Sequence, residues 1–389
     1  MKKIRIIALH LAYGGIEKAI ISMANLFAEK YDVEIISVYN MPDSPAFPLS
    51  ERVRVRYLLD ETPNREEFRA AMRAKDPAAI LREGIKSVRI LRGKKRGVIN
   101  TIKAIGDDVI ITTRNEDNVL LSRYGRKNVL KIAQLHHDHR FDKRLVRDIS
   151  RRYGNIDVFA LLTDGLAEEV RAMLPEESRT RVVCVPNFLE HYPENIDLDA
   201  KKKVALAVGR LDAVKGFDRL IEAFADIHGV MPDWKLRIVG EGAERDRLET
   251  LISENGLEDC VSLTGMRDAA GVEEEMRRAS LFLMSSHSEG LPFVLMEAFS
   301  AMLPAVAYDV RVGPGAIIQN GVSGYLVPDG DRAAYVARVC ELMGDEEKRR
   351  EMAERAIERS HFYSKENVAR IWDGVLGDWR YAENKTIPE

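Results

Sequence analysis

Cysteine is scarce in this 389-residue chain: Cys184, Cys260 and Cys340 are odd in number and far apart. That argues against a disulfide framework, fits a reducing cytosol, and offers no metal-ligand spacing. Long apolar runs are lacking too. No stretch approaches the ~18 to 20 continuous apolar residues of a membrane-spanning helix. The start, Met1 to His10, has a brief signal-like basic opening. Its apolar run is short and Gly14-Gly15 then opens an amphipathic segment, so it reads as a first buried strand. No Gly-x-Gly-x-x-Gly follows that strand, which counts against a standard dinucleotide site. Short-period repeats and low-complexity tracts are missing as well. What is left is an ordinary globular composition, long enough for two or three domains with full cores.

Net charge is only −3, but it is uneven. Residues 1–195 hold 34 Lys+Arg against 27 Asp+Glu, while residues 196–389 hold 25 against 35. The basic surplus gathers in 65–103. A smaller cluster in 139–152 comprises Arg140, Lys143, Arg144, Arg147, Arg151 and Arg152. Such patches suit an anionic partner: a membrane surface, a polyphosphate-linked acceptor or nucleic acid. The competing reading is the solvated face of long helices. No recognised nucleic-acid motif accompanies the basic residues, which sets nucleic acid aside.

Along the chain, strand and helix alternate. Apolar runs at Ile4–Leu9, Val33–Val38, Val109–Thr112, Val129–Leu135, Val158–Leu162 and Val182–Val185 read as strands. Residues 62–105 read as basic helix broken at Asp76-Pro77 and Gly93, and Asp164 as the cap of a helix through Met173. The polar stretch Glu190–Lys203 is the best linker candidate. After it come strands at Val204–Val208, Leu236–Val239, Val261–Leu263, Leu281–Met284 and Ala305–Tyr308, with helices from Phe217, Glu244 and Pro292 and another through Met276. The tail 365–389 is helix-like, with Trp372 and Trp379 expected to pack. The α/β alternation implies two doubly wound, Rossmann-like domains with parallel sheets and a cleft between them. The expected division is 1–195, 196–364 and a C-terminal helix 365–389 crossing back to the first domain.

Each polar cluster of interest follows an expected strand. Glu289-Gly-Leu-Pro-Phe-Val-Leu-Met-Glu297 reads as a loop acid, a turn with Pro292, and an apolar helix carrying a second acid. A helix N-terminus suits a phosphate, and a carboxylate further along suits a sugar diol. Two solvated acids on a surface helix is the plainer alternative. Gly209-Arg210-Leu-Asp-Ala-Val-Lys215-Gly216 puts a guanidinium fork and a point charge on one loop, a fit for a departing diphosphate. His10-Leu-Ala-Tyr-Gly14-Gly15-Ile-Glu17 gives close backbone approach, Gly240-Glu241-Gly242 a tight turn, and Leu263-Thr-Gly265-Met-Arg267 a loop for a nucleobase. His136-His137-Asp138-His139 hints at a metal, but neighbours one or two apart rarely converge on one ion. A strand-end histidine that bonds a sugar is the preferred reading.

Taken together, Gly209-Arg-Leu-x-x-x-Lys215-Gly, Val239-Gly-Glu-Gly, the Glu289 to Glu297 stretch and Asn320-Gly-x-x-Gly324-Tyr-Leu-Val resemble retaining glycosyltransferases of family 4, group 1, with the GT-B fold. Gly14-Gly15-x-Glu17 and Val185-Pro186-Asn187 support the likeness. It is ordered across about 204–330 and looser before 195. The resemblance implies a nucleotide-sugar donor, a UDP-sugar favoured, and no cofactor or metal. By motif, Arg210 and Lys215 hold the diphosphate, Glu297 the ribose, and Glu289 the transferred sugar. Gly290, Leu291, Gly15 and Arg267 add donor contacts, and His136 faces the sugar with His137 as fallback. Where the family often has Gly-Gly-x-x-Glu, this chain has Asp309-Val-Arg-Val-Gly-Pro-Gly315. That form occurs in branches that build bacterial surface polysaccharide, teichoic acid and lipopolysaccharide cores. The implied enzyme is a hexosyltransferase of the EC 2.4.1 type acting on a lipid-linked or polymeric acceptor. It is expected in the cytoplasm, at the inner face of the membrane. The alternatives are a non-catalytic nucleotide-sugar-binding subunit and, more remotely, a nucleotide-sugar epimerase.

Overall fold

The apolar runs assemble into two separate parallel sheets. The structure, a computed structural model, describes residues 2–377 apart from 43, 107, 137 and 139–141. In the first half, β1 (Lys3–Ala8), β2 (Asp32–Tyr39), β3 (Val53–Leu59), β4 (Val109–Thr112), β5 (Leu130–Leu135), β6 (Val158–Leu161) and β7 (Arg181–Cys184) form a seven-stranded sheet of order β3-β2-β1-β4-β5-β6-β7. Neighbouring strands are parallel throughout. Parallel strands need crossovers. These are α1 (Gly15–Ala28), α2 (Arg65–Ala74), α3 (Pro77–Ala104), α4 (Asn115–Tyr124), α5 (Lys143–Arg152) and α6 (Asp164–Met173). Every residue of β4, β5 and β6 is buried, so apolar residues fall on both faces instead of alternating, with Thr112, Lys131 and Gln134 the polar exceptions.

The second half repeats the plan. Its strands are β8 (Val204–Val208), β9 (Lys235–Val239), β10 (Val261–Leu263), β11 (Leu281–Met284), β12 (Ala305–Asp309) and β13 (Gly324–Pro328), in the order β10-β9-β8-β11-β12-β13. The helices are α7 (Phe217–Val230), α8 (Arg245–Glu254), α9 (Ala269–Arg278), α10 (Phe293–Ser300), α11 (Pro314–Ile317), α12 (Arg332–Gly344), α13 (Glu346–Ser360) and α14 (Lys365–Gly377). Its core joins Leu220 and Phe224 of α7 to Leu236 and Ile238 of β9, Trp234, and Tyr335 and Leu342 of α12.

Packing divides the chain into two units: residues up to Val185 with the chain from Ile371, and Pro186–Arg370. Within the first unit, Trp372 of α14 meets Phe27 of α1 edge to face at 5.1 Å, Lys30 pairs with Asp373 at 2.8 Å, and Arg181 donates to the Val375 carbonyl at 3.2 Å. Trp379 lies outside the described residues. Within the second unit, the polar stretch 190–203 is pinned and is no free connection. The Lys201 ammonium donates to the carbonyls of Met276, Ala279 and Ala301 at 3.0 to 3.2 Å, and to that of Arg277 at 3.5 Å.

Three local readings of the sequence need correction. Strand β3 escapes the apolar-run criterion because it lies at the sheet edge. Arg54 and Arg56 alternate with Val53 and Val55 there, and pair with Asp32 and Glu34 of β2 at 2.6 and 3.2 Å. Gly93 does not break α3. A Cβ there would sit 3.2 Å from Leu59, so the glycine lets the helix lie close to β3. The cap of α6 is Thr163, whose hydroxyl accepts from the Leu166 N–H at 3.3 Å, and Asp164 is the first helical residue.

Candidate functional site

In a doubly wound sheet, ligands bind beyond the carboxyl ends of strands where the winding reverses. In the second unit that point lies between β8 and β11, the loops of which run to opposite sides. The β8 loop carries Arg210 and Lys215, and the β11 loop carries Glu289. The structure brings two of them together: Lys215 Nζ lies 2.6 Å from Glu289 Oε1. The Glu289 side chain is only 9% exposed and that of Lys215 22%, so this pair is shielded from bulk water. Arg210 instead points outward, 75% exposed, and pairs with Asp212 at 2.8 Å. Asp212 also organises the turn, since its Oδ1 accepts from the Lys215 N–H at 3.3 Å.

The turn after Glu289 is fixed from several sides. Gly290 and the buried Leu291 lead to Pro292, where α10 opens with no side-chain cap. Buried Asn187 donates from Nδ2 to the Leu291 carbonyl at 3.0 Å. Glu297 is half-buried on α10, one and a half turns in. Gly240 and Gly242 have a packing reason. A Cβ at Gly240 would lie 1.8 Å from the Gly209 carbonyl oxygen, and one at Gly242 2.3 Å from that of Leu211. The second loop thus braces the Arg210 loop by backbone contact. Arg267 is exposed on the loop after β10, and its charge acts on Glu275. The Arg237 hydrogen bonds are the main cause of the lowered Glu275 pKa, with Arg267 a smaller one.

Sequence reasoning missed Arg219. Its Nε and Nη2 each donate at 2.6 Å, to the carbonyls of Ser285 and Ser286, and its Nη1 pairs with Asp329 at 2.7 Å. The guanidinium lies 4.1 Å over the Tyr308 ring. One side chain therefore ties the ends of β11, β12 and β13 together. Its only signal in sequence is an arginine in the first turn of an amphipathic helix, which is usually solvated.

The first unit has its own reversal between β1 and β4. Gly15 begins α1, and a Cβ there would have nothing within 4 Å. Two residues on, buried Glu17 lies 3.4 Å from the Arg114 guanidinium and 3.5 Å from His10 Nδ1. Burial is the main cause that lowers the His10 pKa. Glu17 opposes the shift and Arg114 adds to it. His136 follows β5, half-buried, with buried Asp138 two residues on. His137 and His139 lie outside the described residues. Asp117 on α4 is a second surprise. It is 1% exposed, and neither carboxylate oxygen has a hydrogen-bond partner among the described residues. Burial raises its pKa to about 6, partly opposed by Lys94.

Residues 190–359 match the family model of glycosyl transferases group 1. The chain is 31% identical over 382 residues to the exopolysaccharide phosphotransferase SCO2592 of Streptomyces coelicolor; the match covers 93% of the chain and 39% of that protein. It thus spans about two fifths of that relative's length. It is also 25% identical over 383 residues to an uncharacterized glycosyltransferase of Haemophilus influenzae, covering 97% of the chain and 100% of that protein. Among solved structures, the pneumococcal O-GlcNAc transferase GtfA in complex with UDP and GlcNAc superposes with a TM-score of 0.75 at 14% identity, over 98% of this chain and 99% of that one. The two parallel sheets and this likeness establish the two-domain, Rossmann-like GT-B fold. The family match is confined to 190–359, within the second unit, and the structural likeness shows the fold alone.

Proposed function

We propose that this chain is a retaining hexosyltransferase that moves a sugar from a nucleotide-sugar donor to a lipid-linked or polymeric acceptor of bacterial surface glycan, with a UDP-sugar preferred. The observation that carries the reading is the shielded Lys215–Glu289 pair at the reversal point of the second sheet. A cation there opposes the charge that grows on a departing diphosphate, and its low-dielectric setting strengthens the effect. Arg210 swings from Asp212 to add a planar fork. Glu297 accepts from the ribose hydroxyls, and Glu289 accepts from a hydroxyl of the transferred sugar. The N–H groups near Gly290 and Leu291 hold phosphate and sugar. Arg267 serves the nucleobase end, and Gly15 and His136 are the first unit's candidates for donor contact. The acceptor oxygen bonds to the sugar's C1 as the C1–O bond to diphosphate breaks on the same face. The acceptor proton passes to a phosphate oxygen of the leaving group, so no protein nucleophile and no metal enter the step.

The name of the Streptomyces relative favours a second reading, transfer of sugar phosphate. The two differ in the bond broken. Sugar transfer cleaves C1–O and releases the nucleoside diphosphate. Sugar-phosphate transfer cleaves the phosphoanhydride and releases the monophosphate. A screen of UDP- and GDP-sugars with lipid and polymer acceptors, read by nucleotide chromatography, separates them. UDP release supports the proposal and UMP release supports the alternative. Donor binding without either product marks a non-catalytic binding subunit. If a folded sample releases neither, and Glu297→Ala leaves donor binding unchanged, the assignment fails.

A further inference from the structure

Large aliphatic side chains are exposed at one place in particular. Met72 of α2 and Leu81, Ile85, Val88 and Leu91 of α3 are 47 to 65% exposed, and they make up five of the eleven exposed large hydrophobic side chains among the described residues. The spacing 81, 85, 88 is one helical stripe. Helix α3 spends its opposite face on the sheet: Ile90 is buried, and Gly93 and Gly97 admit Leu59 and Leu58 of β3. The outer stripe is therefore not core turned outward by a register error. Phe68, Ile80 and Gly84 extend it into a shallow groove between α2 and α3.

The charges along α3 are mainly cationic, whereas Glu61 pairs with Arg89 and Glu66 and Glu67 are exposed on α2. Helix α3 holds eight Lys and Arg and a single acid, Glu83, which is buried against the Asn64 amide at 2.9 Å. Lys94 turns inward to Glu116 at 2.8 Å. Arg92, Lys95 and Arg96 stay exposed, with no acid at ion-pairing distance among the described residues. The cluster at 139–152 differs: Arg144 and Arg152 turn to buried Asp148 at 3.8 and 3.4 Å.

We infer that the outer face of the α2–α3 hairpin seats the protein on an anionic lipid bilayer, with Leu81, Ile85, Val88 and Leu91 among the acyl chains and Arg92, Lys95 and Arg96 at the headgroups. An aliphatic stripe flanked by long cationic side chains is the pattern of a helix lying in an interface, where the stems extend the apolar face and the charges reach the phosphates. Each cation near an anionic surface strengthens partitioning by roughly fivefold. Two copies of this face would set like charges together, which disfavours self-association. A bare polyanion would leave the aliphatic stripe in water. No helix among the described residues is long and apolar enough to cross a membrane, so the contact is interfacial. This deepens the reading of a lipid-linked acceptor, yet it needs neither donor nor acceptor to test.

The test is co-sedimentation of the full chain with vesicles of phosphatidylcholine alone or mixed with phosphatidylglycerol. Wild type binds the anionic vesicles at least tenfold more tightly, and high salt weakens the binding. A Leu81→Ser, Ile85→Ser, Val88→Ser triple variant and an Arg92→Gln, Lys95→Gln, Arg96→Gln triple variant each lose at least tenfold. Both keep wild-type circular dichroism and the thermal shift produced by UDP. Equal binding by wild type and both variants, or none by folded wild type, overturns the inference. So does a dimer in gel filtration that the serine variant abolishes, since a second copy then covers the stripe. Loss of vesicle binding with an intact UDP shift separates failure here from failure of the donor assignment.

Discussion

Lys215 and Glu289 stand 74 residues apart in sequence, yet their side chains meet at 2.6 Å. Each follows one of the two strands that flank the reversal point of the second sheet. Glu289 neutralises Lys215 where the proposal needs that ammonium for phosphate. Replacing the acid with an amide should therefore free the cation. We predict that Glu289→Gln binds UDP at least as tightly as wild type by calorimetry, while sugar transfer falls by about a hundredfold or more. Lys215→Ala should lower UDP affinity about tenfold to a hundredfold. Unchanged UDP affinity in both variants would remove this pair from the diphosphate site.

Gly313 supports the same turn from behind. Its φ of +101° is one that L residues rarely adopt, and a Cβ would lie 2.8 Å from the Gly290 carbonyl oxygen and 2.9 Å from Glu289 Cβ. Gly313→Ala should cost ~1 to 3 kcal/mol in urea unfolding and weaken UDP binding. Gly321, at φ +77° with nothing within 4 Å, is the control. Its alanine variant bears backbone strain alone and should bind UDP normally. Equal effects at the two positions would show that the contact with the 289–292 turn is unimportant.

Arg219 gives a test of positioning. Its planar fork reaches two carbonyls and Asp329 while lying over Tyr308, and a lysine cannot reproduce that set. Arg219→Lys should lose ~2 to 3 kcal/mol of stability, because carbonyls at the ends of the strands lose their donors. Transfer should slow at least tenfold at saturating donor, with a smaller change in KM, if the loop after β11 is held for chemistry. A stability loss with no change in kcat would assign Arg219 to the scaffold only.

These three cases show what the sequence makes legible. The buried parallel strands are read directly because both their faces need apolar side chains, so β6 and β11 are located by composition alone. Strand β3 is not, because an edge strand alternates and its arginines resemble a loop. The pairing of Lys215 with Glu289 is suggested once both are seen to follow strands of one doubly wound sheet. Arg219 stays hidden because two of its hydrogen bonds go to backbone carbonyls, and a carbonyl has no sequence signature. Asp117 is hidden for a related reason: nothing in Asn115-Glu-Asp-Asn marks which acid turns inward.

Asp117 carries a pH dependence whose sign follows from its burial. Its folded-state pKa of about 6 stands above the ordinary 3.8, so the folded state holds the proton to higher pH than the unfolded chain does. The group's relative contribution is most favourable below the ordinary value and is lost as pH rises from ~4 through ~6. A tenfold change in proton affinity is worth ~1.4 kcal/mol, so the folded state is less stable by up to ~3 kcal/mol above pH ~6 than it would be without the buried carboxylate. Asp117→Asn keeps the shape and removes the charge. It should raise stability toward that limit at pH 8 and change it little at pH 3.5, as read by urea unfolding at both values. Tyr39, whose pKa burial raises and Asp117 pushes slightly further, should show a smaller upward shift in the variant by ultraviolet titration. A variant no more stable than wild type at pH 8 would mean that the Asp117 carboxylate is solvated or paired in solution.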